Sequence, residues 1–308
     1  MEIPRIALGT FKLGDDESIN EPIRFALEDA GYRHVDCAEF YLNEQAVGNA
    51  LEKVFSNGKV KREEVWITSK VWNHHHRREE VLKACKRTLA NLKLEYLDLY
   101  LIHWPVAFVH TENDDPVPKD SEGRVLIDTD CSIIETWLAM EELVSLGLVK
   151  HIGVSNFTIE LLEKLRFEER VHVQPYCNQV EVNLYMQQEA LRRYCEFRDI
   201  FIEAYAPLGT GHWKEDGMPN LLADPVLTEI SKETGKPVGS VELRFLSQLS
   251  PKMVVLVKSK TPERIVSNID QSLTLTDEQM ERLRKCERCT RYVNPQKTWG
   301  TYLYGDAY

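Results

Sequence analysis

The sequence predicts an α/β fold in which eight strand and helix units close into a (β/α)8 TIM barrel, with the active site at the C-terminal face of the strands. Three observations point there. Eight short β-branched or apolar runs recur along the 308 residues, and segments with helical period lie between them. The runs are mostly apolar instead of alternating, as strands are when both faces of a parallel sheet are covered. Eight such units in about 300 residues is the size of one barrel. No Ser/Gly-rich linker or low-complexity tract divides the chain, so residues 1–308 are expected to form a single domain.

Taken in order, the first run is RIALGTF (5–11), followed by INEPIRFALEDAG (19–31). In that segment Ile23, Ala26, Leu27 and Ala30 fall at i, i+3, i+4 and i+7, Pro22 suits a first turn, and Gly31 is a natural C-cap. The next runs are RHVDCA (33–38), EVWITSK (64–70) and LDLYLIH (97–103). Ile133, Trp137, Met140 and Val144 then form one face of a helix that ends at Gly147. VKHIGVSN (149–156), YCNQVEV (176–182), IFIEAYAP (200–207) and MVVLVKS (253–259) complete the set.

In such a barrel, functional residues sit where strands end. The run ends and the loops behind them supply Phe11, Asp36 with Tyr41, Lys70, His103 with Trp104, Ser155 with Asn156, Gln179, Tyr205, and Lys258 with Ser259. Polar, ionisable and aromatic groups therefore gather at one rim. Asp36, Tyr41, Lys70 and His103 could together move one proton. A tyrosine phenol is a poor acid near neutral pH unless a nearby cation favours its phenolate, and Lys70 could be that cation. Asp36 would keep Lys70 charged, and His103 could donate to or orient a carbonyl oxygen. Each has a structural alternative, Asp36 as an ion pair with Arg33 and His103 as a hydrogen-bonded core residue. The joint pattern favours chemistry.

The net charge of -11, from 49 acids against 38 bases, repels nucleic acid and anionic membrane surfaces. No apolar stretch approaches the roughly 20 residues of a membrane span. The start, MEIPRIALGTF, lacks the features of a secretory signal, and seven scattered cysteines suggest reduced thiols in a cytoplasmic protein. Cys286 and Cys289 form a CxxC without a second ligand pair. His74, His75 and His76 are consecutive, and consecutive side chains diverge on a helix or strand, so no metal is expected there or elsewhere. No GxGxxG follows a strand, which argues against a Rossmann domain.

The stretches GYRHVDCAEFYLNE (31–44), ITSKVW, LDLYLIHWP, GLVKHIGVSNF, CNQVE, AYAPLG and VKSKTPERIVSN, in this order and spacing, resemble the aldo-keto reductases, and within them the aldose and aldehyde reductase group. The resemblance runs from about residue 4 to about 300. It implies NADPH-dependent reduction of aldehydes or ketones, with aldoses among the candidates, with Tyr41 as general acid, Asp36 and Lys70 tuning it, and His103 positioning the substrate. Hydride would come from the nicotinamide. Ser155, Asn156 and Gln179 match the family residues that bond its carboxamide, and Tyr205 the aromatic that stacks on its ring. Lys258 and Arg264 match the pair that grips the 2'-phosphate, and Asn268 an adenine contact. Charge supports this independently, because Lys258, Ser259, Lys260 and Arg264 concentrate donors after the last strand of an acidic chain. NADP(H) is thus expected over NAD(H).

The pocket would be lined by Phe11, Trp72, Trp104 and the tail at about 289–308, through Trp299, Tyr302 or Tyr304. Its expected partner is a small-molecule carbonyl compound, and the chain is expected to be a monomer or weak homodimer. There are departures from the family pattern. The chain starts almost directly at the first strand, so the hairpin that usually plugs the barrel bottom is expected to be missing. Phe11 stands where tryptophan is common, Ala206 where serine is, and Ser267 where glutamate is. His212 stands where an acid often helps a loop close, with Glu215 or Asp216 as substitutes. Two rival readings remain: a cofactor-binding regulatory barrel, like the accessory subunits of ion channels, and an NADP-dependent alcohol dehydrogenase.

Overall fold

The computed structural model describes residues 2–209 and 217–304. Eight parallel strands close in sequence order into a barrel, with the last paired to the first. They are β1 (Ile6–Gly9), β2 (His34–Asp36), β3 (Trp66–Val71), β4 (Leu97–Ile102), β5 (Val149–Ser155), β6 (Cys177–Glu181), β7 (Phe201–Tyr205) and β8 (Met253–Val257). All eight expected runs become strands. Most are trimmed at their ends, while β3 continues one residue further, to Val71. The residues trimmed from the C-terminal ends, including Phe11, His103, Asn156, Lys258 and Ser259, lie past the strands on the rim, although His103 and Asn156 still donate their N–H groups to Val71 O and Gln179 O.

The helices are α1 (Asn20–Arg24), α2 (Glu44–Ser56), α3 (Arg78–Leu92), α4 (Ile133–Ser145), α5 (Ile159–Phe167), α6 (Glu189–Phe197), α7 (Pro225–Thr234), α8 (Val238–Gln248), α9 (Pro262–Ile269), α10 (Asp277–Arg284) and α11 (Gln296–Trp299). The segment expected as one helix at 19–31 divides. After α1 the chain widens into a π-helical turn at Phe25–Asp29, with Ala30 N–H donating to Phe25 O at 2.8 Å. Ile23, Ala26 and Leu27 are buried, while Ala30 is only half-buried. On α4 the fully buried centre is Trp137 and Met140, flanked by Ile134 and Leu143, and Ile133 and Val144 lie at the edges of the face.

Strand pleating decides what the barrel encloses. Side chains two apart share a face, so Trp66, Thr68 and Lys70 form one inward column, as do Phe201, Glu203 and Tyr205. The lower interior is apolar, filled by Ile3, Ala7, Trp66, Leu99, Leu101, Cys177, Phe201, Val254 and Leu256. At that end Trp66, His151, Tyr176 and Phe201 stack in turn at centroid separations of 5.4, 4.2 and 5.2 Å, and Trp66 is only 1% exposed. Gly153 of β5 is required by space, because a Cβ there would lie 2.7 Å from Cys177 O and from Leu101 Cδ2. A second, larger apolar layer lies between strands and helices. Each fully buried aliphatic or aromatic side chain in it contributes about 1.5–3 kcal/mol, before the cost of ordering the chain is set against it. That packing makes the upper rim a rigid platform.

Candidate active site

Lys70 ends an inward column with no exposure, and every proton of its ammonium has an acceptor. Its Nζ donates to Asp36 Oδ1 at 2.7 Å, to Cys37 O at 2.7 Å and to the Tyr41 hydroxyl at 3.2 Å. Tyr41 reaches it from the 3-10 turn Glu39–Tyr41 behind β2. Asp36 does not pair with Arg33, whose guanidinium donates to the carbonyls of Leu27 and Tyr32. Burial works against the charge on Lys70, but the Asp36 carboxylate, with the hydrogen bonds to Asp36 and Tyr41, outweighs it and holds the ammonium above its ordinary range. Burial raises the Tyr41 phenol well above its usual value, and Lys70 offsets only part of that rise. The balance differs from the expectation of a phenol made acidic outright: in the free protein Tyr41 keeps its proton.

His103 stands beside Tyr41, ring centroids 5.9 Å apart and nearly perpendicular. Burial first, then the Lys70 charge, push its pKa well below the ordinary histidine value, so the imidazole is neutral. Its Nδ1 is buried without a partner among the described residues, and Nε2 is the nitrogen that would meet a ligand.

The expected cofactor residues join the same network. Asn156 takes the left-handed conformation at φ 63°, which asparagine tolerates, and its side chain folds back. Its Nδ2 donates to His103 O at 3.0 Å and to Ser155 Oγ at 3.1 Å, while its Oδ1 accepts from the Tyr205 hydroxyl at 2.7 Å. Ser155 Oγ donates to Gln179 O at 2.8 Å. Gln179 Nε2 donates to Asp36 Oδ1 at 2.9 Å and to Glu203 Oε2 at 2.6 Å. Its amide is therefore held with Oε1 left for a further donor. Glu203 was not singled out by the sequence reading. Its signal was a carboxylate inside the apolar run IFIEAYAP, two residues from Tyr205 and so on the same inward face. Burial, reinforced by Asp36, raises its pKa to about 8.

Beyond β8 the environment changes. Lys258, Lys260 and Arg264 are exposed, Asn268 is half-buried, and no carboxylate pairs with these three cations among the described residues. Burial and the charges of Lys260 and Lys12 lower the Lys258 ammonium below its ordinary value. Ser259 is turned inward, its Oγ accepting from Thr261 N at 3.0 Å. Crowded, unpaired cations at the start of α9 fit a bound phosphate in their donor chemistry. His212, Glu215 and Asp216 lie outside the described residues.

Trp72, Trp104, Phe108, Trp299, Leu303 and Tyr304 form a separate apolar cluster over the rim. Trp72 meets His103 edge-on at 5.0 Å, and Trp299 meets Trp104 and Phe108 at 5.1 Å each. Phe11 packs instead on Tyr41, at 5.0 Å. Of the three tail aromatics considered, Trp299 and Tyr304 are packed, whereas Tyr302 is 68% exposed. Glu181, also unforeseen, ties the tail down by accepting from Tyr292 N at 2.8 Å and Val293 N at 2.9 Å.

All seven cysteines are free thiols, with Cys286 buried and Cys289 exposed. The expectation that consecutive histidines diverge does not hold for two of them. The 3-10 turn Asn73–His75 brings the His74 and His75 rings to 3.6 Å, with Asp114 from the following loop in reach of both. No helix among the described residues is long and apolar enough to cross a membrane.

Known proteins resemble this chain in sequence and fold. The family model described as "Aldo/keto reductase family" matches residues 5–288. An aldo/keto reductase of Synechocystis is 40% identical over 298 residues, covering 95% of this chain and 88% of that protein. Aldose reductase B of Dictyostelium discoideum is 39% identical over 301 residues, covering 95% and 92%. The solved aldose reductase of Schistosoma japonicum superposes with a TM-score of 0.89 at 38% identity, over 99% of this chain and 95% of that one.

Proposed function

The chain belongs to the aldo/keto reductase family, oxidoreductases that use nicotinamide cofactors, and on that premise we propose that it reduces aldehydes and ketones to alcohols with NADPH. The observation that carries the reading is the Lys70 ammonium, charged by Asp36 and in contact with the Tyr41 hydroxyl. When bound, the reduced nicotinamide supplies a hydride to the carbonyl carbon. The residues fit such a group. Gln179 Oε1, with Ser155 and Asn156, would hold the carboxamide, Tyr205 the ring face, Asn268 the adenine, and Lys258, Ser259 and Arg264 the 2'-phosphate side.

The chain's own contribution is a proton and its control. His103 Nε2 orients the carbonyl oxygen toward Tyr41. The buried phenol holds its proton until that oxygen gains negative charge, then donates it. The phenolate left behind lies against Lys70, whose charge Asp36 preserves, and the proton is restored from solvent. Trp72, Trp104 and Trp299 exclude water and favour apolar aldehydes, while Phe11 shapes the side nearest Tyr41. Seven unpaired cysteines suit a reducing, cytoplasmic setting. A single barrel domain, monomeric or weakly dimeric, would suffice, since every residue named comes from one chain.

A screen of NADPH oxidation against aldoses, aliphatic and aromatic aldehydes, and ketones tests this. Steady turnover, fastest with aromatic aldehydes, is expected. Tight NADPH binding with no turnover on any carbonyl would refute it in favour of a regulatory barrel.

A further inference from the structure

Behind the pocket wall, outside the proton-moving set, a second cluster has no role in carbonyl reduction. His74 Nε2 lies 3.0 Å and His75 Nε2 2.8 Å from the same atom, Asp114 Oδ1, and His110 Nδ1 lies 3.9 Å from it. The four residues come from two loops, the turn after β3 and the long connection after β4. We infer that His74, His75, His110 and Asp114 form a site for a divalent transition-metal ion of the zinc type.

At His75 and Asp114 the surrounding hydrogen bonds are those a metal site needs. His75 Nδ1 lies 3.0 Å from Glu39 Oε1, so it can donate there and direct the Nε2 lone pair at the Asp114 oxygen, the carboxylate and histidine arrangement that fixes metal-binding imidazoles. Asp114 is divided likewise: Oδ1 faces the histidines, while Oδ2 accepts from Arg87 at 3.0 Å. His74 is 4% exposed, and its Nδ1 has no hydrogen-bond partner among the described residues. Zinc bonds of about 2.0–2.1 Å in a tetrahedron place ligand atoms about 3.3 Å apart. The Asp114 separations from His74 and His75 are close to that and need a slight opening, whereas His110, 3.9 Å from Asp114 and farther from the other two donors, would have to swing in. Three imidazoles and one carboxylate select zinc, nickel or copper over magnesium or calcium.

One competitor is visible. Arg87 Nη2 lies 3.1 Å from His75 Nε2, and a metal ion would displace that contact. Arg87 can yield because its side chain is 43% exposed and keeps its bonds to Glu39 and Asp114 Oδ2. A bound ion would also clamp the two loops that meet at Trp72. Trp72 N donates to Glu39 Oε2 at 3.0 Å, and its Nε1 donates to Pro116 O at 2.6 Å. Occupancy would thus stiffen one wall of the substrate pocket.

Titrating the full chain with Co²⁺ and following the visible absorption band, with Zn²⁺ as competitor, tests the site. One equivalent of tetrahedral Co²⁺, displaced by Zn²⁺, is expected, and Zn²⁺ should raise the thermal midpoint. The surface changes His110→Gln and Asp114→Asn should each weaken binding at least about tenfold, and Glu39→Gln by about 10- to 100-fold, with the fold intact by circular dichroism. Cys289→Ser, which removes the exposed thiol, should change nothing. An octahedral or absent Co²⁺ spectrum, or full affinity in His110→Gln and Asp114→Asn together, would overturn the inference.

Discussion

Two cationic regions of the molecule show opposite designs. In the barrel mouth, Lys70 is fully buried and its three donors are spoken for by Asp36, Cys37 O and Tyr41. Beyond β8, Lys258, Lys260 and Arg264 are exposed, Lys260 acts on Lys258, and none of the three is paired with a carboxylate among the described residues. A charge whose partners are already in place can only tune its neighbours, whereas a charge left unpaired in an acidic protein is ready to bind an anion. The first region is suited to moving a proton and the second to holding a phosphate.

The most severe way to break that contrast is Tyr41→Phe, which leaves Lys70 charged but removes the proton it governs. Carbonyl reduction should fall by about 10² to 10⁴, with NADPH affinity by fluorescence titration almost unchanged. Reduction at the parent rate would remove Tyr41 from its role. On the other side, Lys258→Ala with Arg264→Ala should weaken NADPH by about tenfold or more at low salt, and less as salt rises, while NADH is barely affected. Equal losses for the two cofactors would mean that these cations do not read the phosphate.

The smallest effect concerns stability and sharpens the first region. Glu203 is packed among Asp36 and His34 of β2, Lys70 of β3, and Cys177 and Gln179 of β6. Its folded pKa of about 8 lies above the ordinary 4.5, so the folded protein binds more protons than the unfolded chain between those values. Its contribution is complete below about pH 4.5 and is lost as pH rises through about 8, with a slope up to about 1.4 kcal/mol per unit. His34 acts in the opposite sense, its pKa lowered to about 4 by burial, so its contribution is lost on acidification below 6.5. Glu203→Gln should flatten the decline of stability between about pH 6.5 and 8 in chemical denaturation, above the window in which His34 acts. An unchanged decline over that window would show that Glu203 is not protonated in the folded state.

How much of this was legible from the sequence varied with the kind of information needed. Asp36, Lys70, His103 and Tyr205 could be found because strand ends and a two-residue period are local properties. Glu203 obeyed the same period but was hidden by the apolar run around it. The division of the first helix at Phe25 is not recorded by the i, i+3, i+4 spacing of its apolar residues. Diverging histidines were expected from regular helix or strand geometry, and a 3-10 turn overrode it. Tail aromatics were visible as composition, yet only packing separates Trp299 and Tyr304 from Tyr302.

By itself the amino-acid sequence determined the eight strands, their order, and which side chains face inward at the rim, because periodicity and strand length are written within a few residues of each position. Only the tertiary structure decided which of those groups share protons, which cations stay unpaired and which loops meet. Those outcomes depend on distances between residues far apart in the chain, as Gln179 and Asp36 are, and on burial that shifts a pKa only once the barrel has closed.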